Sequence, residues 1–344
     1  MERSVRTAVD EFQSHFPKAP VAVARDARIA AAMDAARTDS TPRLPPAASP
    51  LVASPVLAWF FVVVWGSGYL ATKVGLQYAP PLTFLALRFA FGAFVLVPLL
   101  VFWHRREPLR WPGTARDWAH VVVAGLLMHA ANLGASHYAQ YLGMSAGIVA
   151  LVLAVQPLAT AIVAAALMNE RLRPYQWAGV LLGLLGVAFV VWHKIDVRAV
   201  SFGAAAAALV ALAAITIGTL YQRAFCPTVD LRPASLIQFL ATLAALAPLA
   251  VAVEGFQVRW AWGLAGAIAY LVILASILAV NALHTLMRRG EATRVTSLLY
   301  LTPVIAVILE WAMFGVVPTA LTLAGIVVTC AGVALVAWRA RSRE

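Results

Sequence analysis

The 344-residue chain is short of charge, of lysine and of cysteine. Only 12% of its residues are charged, about half the share of an ordinary soluble domain, while 62% are hydrophobic. Mean hydropathy is +0.84. These values exclude a soluble globular enzyme and a disordered chain. Two cysteines, Cys226 and Cys330, exclude a disulfide framework and supply no metal-ligand spacing. No Gly-x-x-x-x-Gly-Lys-Ser/Thr loop, no His-Glu-x-x-His pattern and no Gly-x-Ser-x-Gly elbow occurs. No metal and no cofactor is therefore expected, and an ATP-driven pump is disfavoured on this chain alone. Positive charge is present: the formal net charge is +11, carried by 23 Arg and 3 Lys. They are strung between apolar runs and form no single basic face, which argues against a nucleic-acid partner.

From Leu51 to Trp338 the apolar runs are about 20 residues long, enough to cross about 30 Å of hydrocarbon. Ten spans are expected, near 55–76, 81–103, 117–138, 143–167, 174–193, 201–222, 233–253, 260–284, 293–315 and 318–338. The fold class is an all-α integral membrane protein. Residues 1–50 differ: seven basic and six acidic residues, closed by Pro42, Pro45, Pro46 and Pro50, with too little apolar area to offset ordering entropy. They read as a disordered cytosolic tail, and 339–344 as a basic cytosolic C-terminus. With the N-terminus inside, the cytosolic connections and C-terminus carry 14 Arg from Arg105 to Arg343. The opposite side carries Lys73, Lys194, Arg198 and Arg259. This asymmetry predicts both termini in the cytoplasm of a cytoplasmic-membrane protein.

An internal repeat organises the spans. A shift of 150 places Arg88-Phe89 on Gln238-Phe239 and Pro98-Leu99 on Pro248-Leu249. A shift of 146 places Pro157 on Pro303 and Gly186-Val187-Ala188 on Gly332-Val333-Ala334. The units are 51–193 and 194–338, five spans each. Five is odd, so the second copy enters the membrane inverted, the arrangement behind alternating access in many transporters.

Polar groups inside spans are costly and should face a bundle interior or water. On the third span His129, Asn132, Ser136 and Gln140 form one helical stripe. It reads either as cavity lining or as interhelical hydrogen bonding. His137 lies nearer the outer end, where a wet interfacial position fits equally. Asn281 and His284 form a similar pair on the eighth span. Trp65, Ser67 and Tyr69, beside Gly66 and Gly68, are candidate cavity walls, as are Gln156, Tyr300 and Thr302. Pro157 and Pro303 are candidate helix breaks at matched positions. Glu310 is the only acid well inside a span. It reads as a proton-coupling or substrate-amine carboxylate, or as the ion-pair partner of a buried cation. Arg88, at a similar depth, is the candidate cation. Lys73 reads more readily as an interfacial anchor. Small-residue faces on spans five and ten (Gly179, Gly183, Gly186; Gly325, Thr329, Gly332) predict close packing within the bundle or between protomers of a homodimer.

Trp65-Gly66-Ser67-Gly68-Tyr69, Lys73, Leu87-Arg88-Phe89, Gln156-Pro157-Leu158, Asn169-Glu170-Arg171-Leu172 and Thr302-Pro303-Val304-Ile305 follow in an order that resembles an EamA-type permease of the drug/metabolite transporter superfamily. Val316-Val317 stands where the first copy has Glu170-Arg171, a departure from the family pattern. The resemblance implies a ten-helix bundle around a central cavity, working as a secondary transporter. It implies export of a small metabolite, amino acid or amphipathic drug, with no enzymatic activity. Two other classes compete: an intramembrane enzyme on a lipid-linked substrate, and a non-transporting scaffold or sensor.

Overall fold

A computed structural model describes residues 53–168, 174–196, 201–282, 286 and 301–337. The chain divides into two compact units, Met1–Val56 and Leu57–Glu344. The described part of the first is the opening turn of one helix; the second holds the rest of the described helices. The expectations for residues 1–50 and 339–344, and for Glu170, Arg171, His284 and Tyr300, fall outside the described residues.

Every described element is helical. In chain order they are α1 (Ala53–Gly75), α2 (Pro81–His104), α3 (Ala115–Tyr141), α4 (Ala146–Leu153), α5 (Gln156–Met168) and α6 (Pro174–Asp196). Then come α7 (Phe202–Phe225), α8 (Leu231–Glu254), α9 (Trp262–Ala282), α10 (Thr302–Phe314) and α11 (Ala320–Ala337). Among the described residues eight stretches are long and apolar enough to cross a bilayer, counting α4 with α5 as one. The helices α10 and α11 are shorter and apolar. The expected fourth span is interrupted: α4 ends at Leu153, Val155 in the turn donates to the Val152 carbonyl, and α5 starts at Gln156, one residue before Pro157, as α10 starts one residue before Pro303. Both prolines sit in a first helical turn, where a missing N–H costs nothing.

The helix ends are closed by local chemistry. Thr114 and Asp117 form a reciprocal capping box at α3, Ser145 caps α4, Ser201 caps α7 and Asp230 caps α8. Gly255 and Gly315 end α8 and α10 in the left-handed region that glycine tolerates best. Helix alternation puts these ends at two faces. The first end holds the connections 76–80, 142–145, 255–261 and 315–319, and the second holds 105–114 and 226–230. Exposed tryptophans collect at both: Trp192, Trp260 and Trp262 at the first, Trp111, Trp118 and Trp177 at the second. Such girdles suit membrane–water interfaces.

Spans three and eight, the two interrupted by polar residues in sequence, each carry a π-helical stretch, Leu126–Ala131 in α3 and Tyr270–Ala279 in α9. A wide turn adds a residue per turn and rotates the next part of the helix about its axis. Leu85, Phe89, Ala93, Leu96 and Leu100 of α2 pack on Leu236, Phe239 and Leu246 of α8. Along α6 and α11 the small-residue faces meet each other. A Cβ at Gly332 would stand 2.4 Å from the Gly183 nitrogen and 2.6 Å from the Gly179 oxygen. One at Gly186 would stand 2.6 Å from Thr329 Oγ1. These faces meet inside the chain, one of the two arrangements expected of them.

Candidate functional site

The Glu310 carboxylate is buried at the first end, where three elements meet. Its neighbours follow from local geometry. The first amides of a helix lack intrahelical acceptors. In α4 the Ser145 hydroxyl takes one, the Ile148 N–H at 3.3 Å. Glu310 takes the two before it: Ala146 N–H donates to Oε1 at 3.0 Å and Gly147 N–H to Oε2 at 2.9 Å. Gly147 permits the approach, since a Cβ there would meet Val307 at 2.3 Å. The Lys73 ammonium, from the last turn of α1, donates to Oε1 at 2.6 Å and lies 4.5 Å from the centre of the Phe314 ring. The Glu310 side chain is 3% exposed and that of Lys73 28%. A carboxylate on a helix N-terminus with an ammonium beside it is stabilised by dipole, hydrogen bonds and charge together. A cavity of about 260 Å³ opens beside the pair, lined by Gln140, Met144, Ser145, Val317 and Thr322 among others.

The partner of Glu310 is thus Lys73, not Arg88. Depth along two spans placed Arg88 level with Glu310, but depth leaves azimuth open. The guanidinium turns away, donating to Ser276 Oγ on α9 at 3.3 Å and lying 5.8 Å from the Phe89 ring centre. Lys73 is not merely an interfacial anchor.

A second carboxylate repeats the capping theme. Glu254, at the end of α8, accepts the N–H groups of Leu82 and Thr83 at 3.0 and 2.8 Å, the Thr83 hydroxyl at 2.8 Å and the Tyr138 hydroxyl at 3.1 Å. It closes the N-terminus of α2 as Glu310 closes that of α4. An acid beside Gly255 at a span end looks like an ordinary loop residue in sequence, so it carried no signal there.

The third-span stripe divides. His129 Nε2 lies 3.3 Å from Gln238 Oε1, and Gln238 Nε2 donates to Gln222 Oε1 at 3.2 Å, so a polar chain crosses α3, α8 and α7. The imidazole sits 5.5 Å from both the Phe89 and Phe239 rings. Gly125 brings the helices together, for a Cβ there would be 2.8 Å from Gln238 Cα. Gln238 had one sequence signal, its alignment with Arg88 in the repeat. Asn132 and Ser136 are buried and donate to carbonyls of their own helix, those of Met128 and Leu133. Asn132 Oδ1, Gln140 Oε1, His137 Nδ1 and Thr302 Oγ1 are buried with no hydrogen-bond partner among the described residues. His137 is an interior residue, 2% exposed, with Nε2 3.4 Å from Thr72 Oγ1, and not an interfacial one.

The remaining candidates scatter. Ser67 hydrogen-bonds Tyr270 on α9, and Gly66 lets α1 approach the Thr302 carbonyl of α10. Gln156 Nε2 donates to Thr219 Oγ1 at 3.3 Å. Trp65 stacks at a tilt on Phe61 and is 38% exposed. Tyr69 packs against the core around Leu70 and Ala146. Asn281 is exposed and donates to the Ile277 carbonyl at 2.7 Å.

The second end is charged but open. Arg232 pairs with Asp230 at 2.8 Å and with Glu107 at 2.9 Å. Desolvation pushes the Asp230 carboxyl upward, but the Arg232 side chain and the Arg232 and Arg110 amides outweigh it and hold the group below the usual carboxylate range.

Comparison with known proteins agrees with this architecture. The model of the EamA-like transporter family matches twice, over residues 54–192 and 201–338. The chain is 29% identical over 278 residues to a protein of Escherichia coli K12 named "Uncharacterized inner membrane transporter YedA", covering 76% of this chain and 87% of that one. It is 27% identical over 289 residues to the "Probable amino-acid metabolite efflux pump" of Salmonella typhimurium, covering 80% and 92%. A solved crystal structure at 22% identity superposes with a TM-score of 0.59 over 85% of this chain and 99% of the other, which shows a shared fold. Two matches that together span most of the chain make it a member of the EamA-like transporter family, a membrane transporter and not an enzyme.

Proposed function

We propose that the chain is a secondary transporter in which two inverted five-helix copies, 51–193 and 194–338, rock about a central cavity. It exports a small metabolite, amino acid or amphipathic solute across a bacterial inner membrane, with both termini in the cytoplasm. The observation that carries this reading is the placement of Glu310. It lies on α10, in the second matched region, and every group that holds it lies in the first: Lys73 on α1 and the Ala146 and Gly147 amides of α4. Rocking the copies apart at this end must break that tie. The freed carboxylate then takes a proton from the outer side, and reclosing on Lys73 and α4 releases that proton into the central cavity, from which it leaves when the cavity opens to the cytoplasm. Lys73 is the one charged side chain facing Glu310 among the described residues. Inward proton movement would thus be exchanged for outward solute. The charge asymmetry of the connections supports the orientation, and the names of the relatives support export and the inner membrane.

The test is flux in proteoliposomes over a metabolite panel, with and without an imposed pH gradient. Wild type is expected to accumulate its substrate only with the gradient. Glu310→Gln keeps a hydrogen-bonding shape but cannot titrate, and is expected to catalyse exchange without gradient-driven accumulation. Undiminished gradient-driven uptake in that variant would refute the coupling role.

A further inference from the structure

Both groups that hold the Lys73 ammonium, the Glu310 carboxylate at 2.6 Å and the Phe314 ring at 4.5 Å, belong to α10. α10 lies in the second matched region and Lys73 in the first. Parting the copies at the first end therefore takes both from the ammonium at once, and a charge left without an acceptor inside a membrane protein is strongly unfavourable. An acceptor that travels with Lys73 is needed. The cavity of about 260 Å³ beside the pair is lined by two side-chain oxygens of the first copy, those of Ser145 and Gln140. Ser145 Oγ already takes the Ile148 N–H as the cap of α4. Thr322 across the cavity belongs to α11, in the second matched region, and shares a hydrogen bond with Thr319 at 2.9 Å. Gln140 Oε1 is buried and has no hydrogen-bond partner among the described residues. An amide oxygen kept from both water and a donor costs free energy and calls for a reason. It also sits where Lys73 can use it. Thr72 Oγ1, one residue before Lys73, lies 3.4 Å from Nε2 of His137, about one turn before Gln140, so α1 and α3 are joined at this level. The ammonium carries three donors on a flexible four-carbon stem, and the Lys73 side chain is 28% exposed, which leaves it room to swing.

We propose that Gln140 is a positioning residue of the transport cycle, acting through Lys73: its amide oxygen receives the ammonium when Glu310 lets it go. This rests on the transporter reading and adds a residue to its first-end tie. In the closed arrangement Lys73 donates to Glu310 and Gln140 Oε1 goes without a donor. In the open one Glu310 carries the proton taken from the outer side, and Lys73 donates to Gln140. The ammonium keeps its own protons throughout, and neither copy is left with a bare charge. The orphaned oxygen burdens the closed state alone, so it favours opening.

The test reads the distance between two spin labels by pulsed electron resonance in the full-length chain, held in phosphatidylglycerol–phosphatidylethanolamine nanodiscs. The labels sit on Tyr141→Cys in α3 and Met313→Cys in α10, both exposed positions, with Cys226 and Cys330 replaced by alanine. Every chain carries Glu310→Gln, which stands for the protonated acid and lets both arrangements populate. Adding Gln140→Leu is expected to lower the ratio of the longer distance to the shorter about tenfold, the scale of a hydrogen bond to a charged group. Adding Gln140→Glu instead moves the carboxylate from the second copy to the first and should raise that ratio about tenfold. The two opposite shifts keep the result readable if one variant folds poorly. With Lys73→Met also present, Gln140→Leu should change nothing, because Gln140 acts only through the ammonium. Solute exchange in proteoliposomes over the metabolite panel should fall with Gln140→Leu in kcat and not in KM. A ratio untouched by Gln140→Leu, or a shift that survives Lys73→Met, would overturn the assignment and leave the transporter reading intact. A shift that depends on both Gln140 and Lys73, with no exchange of any solute, would refute the transporter reading instead. A single distance in every chain would overturn both.

Discussion

The two ends of the bundle are both tied between the first and second matched regions, and they are tied differently. At the first end the tie is dry: Glu310 is 3% exposed and holds an ammonium and two helix amides at once. At the second end the Arg232–Glu107 pair is wet, with the Glu107 side chain 72% exposed. Exposed pairs contribute little, because water and salt screen them and long side chains lose freedom to form them. A buried pair is costly to break from one side, since the partner is left charged without compensation. The difference teaches that, among the described residues, the tie at the first end is the better shielded from water.

Four substitutions test that contrast, beginning with the most damaging. Lys73→Met leaves Glu310 buried with two amides and no counter-charge, and is expected to cost about 3–5 kcal/mol, read as a large fall in melting temperature. Adding Glu310→Leu to the same chain should restore much of it, and a cycle with no recovery would show that the pair is not coupled. Glu254→Gln keeps the shape of the other helix-closing acid but weakens four hydrogen bonds. A loss of about 1–2 kcal/mol is expected, with hydrogen exchange fastest at the first amides of α2. Glu107→Ala at the second end should cost no more than about 1 kcal/mol and lose even that in high salt. An effect as large as that of Lys73→Met would erase the difference between the ends.

Much of the fold was legible in the sequence. The first span, expected near 55–76, is α1, and the second, near 81–103, is α2, because a bilayer sets run length and little else competes. α5 and α10 each begin one residue before a proline that stood out in the sequence, Pro157 and Pro303. Rotation stayed hidden. Hydropathy shows how deep Arg88 and Glu310 lie but not which way they point, and the π-helical stretches in α3 and α9 turn the chain in ways a regular 3.6-residue count misses. For that reason the stripe from His129 to Gln140 splits between a bond across helices at His129 and inward burial at Asn132 and Ser136. Glu254 and Lys73 were hidden for another reason. A charged residue at a span end has water as its default partner, and only the packed helices reveal an unsatisfied amide or acid within reach.

The contact between α6 and α11 has a mechanical meaning. Where Gly183 and Gly332 face each other backbone lies on backbone, with the Thr329 hydroxyl reaching across to the Gly183 carbonyl at 3.5 Å. Such a joint tolerates no wedge, so the two helices cannot be prised apart to make room for anything. If the copies swing, this seam is the axle.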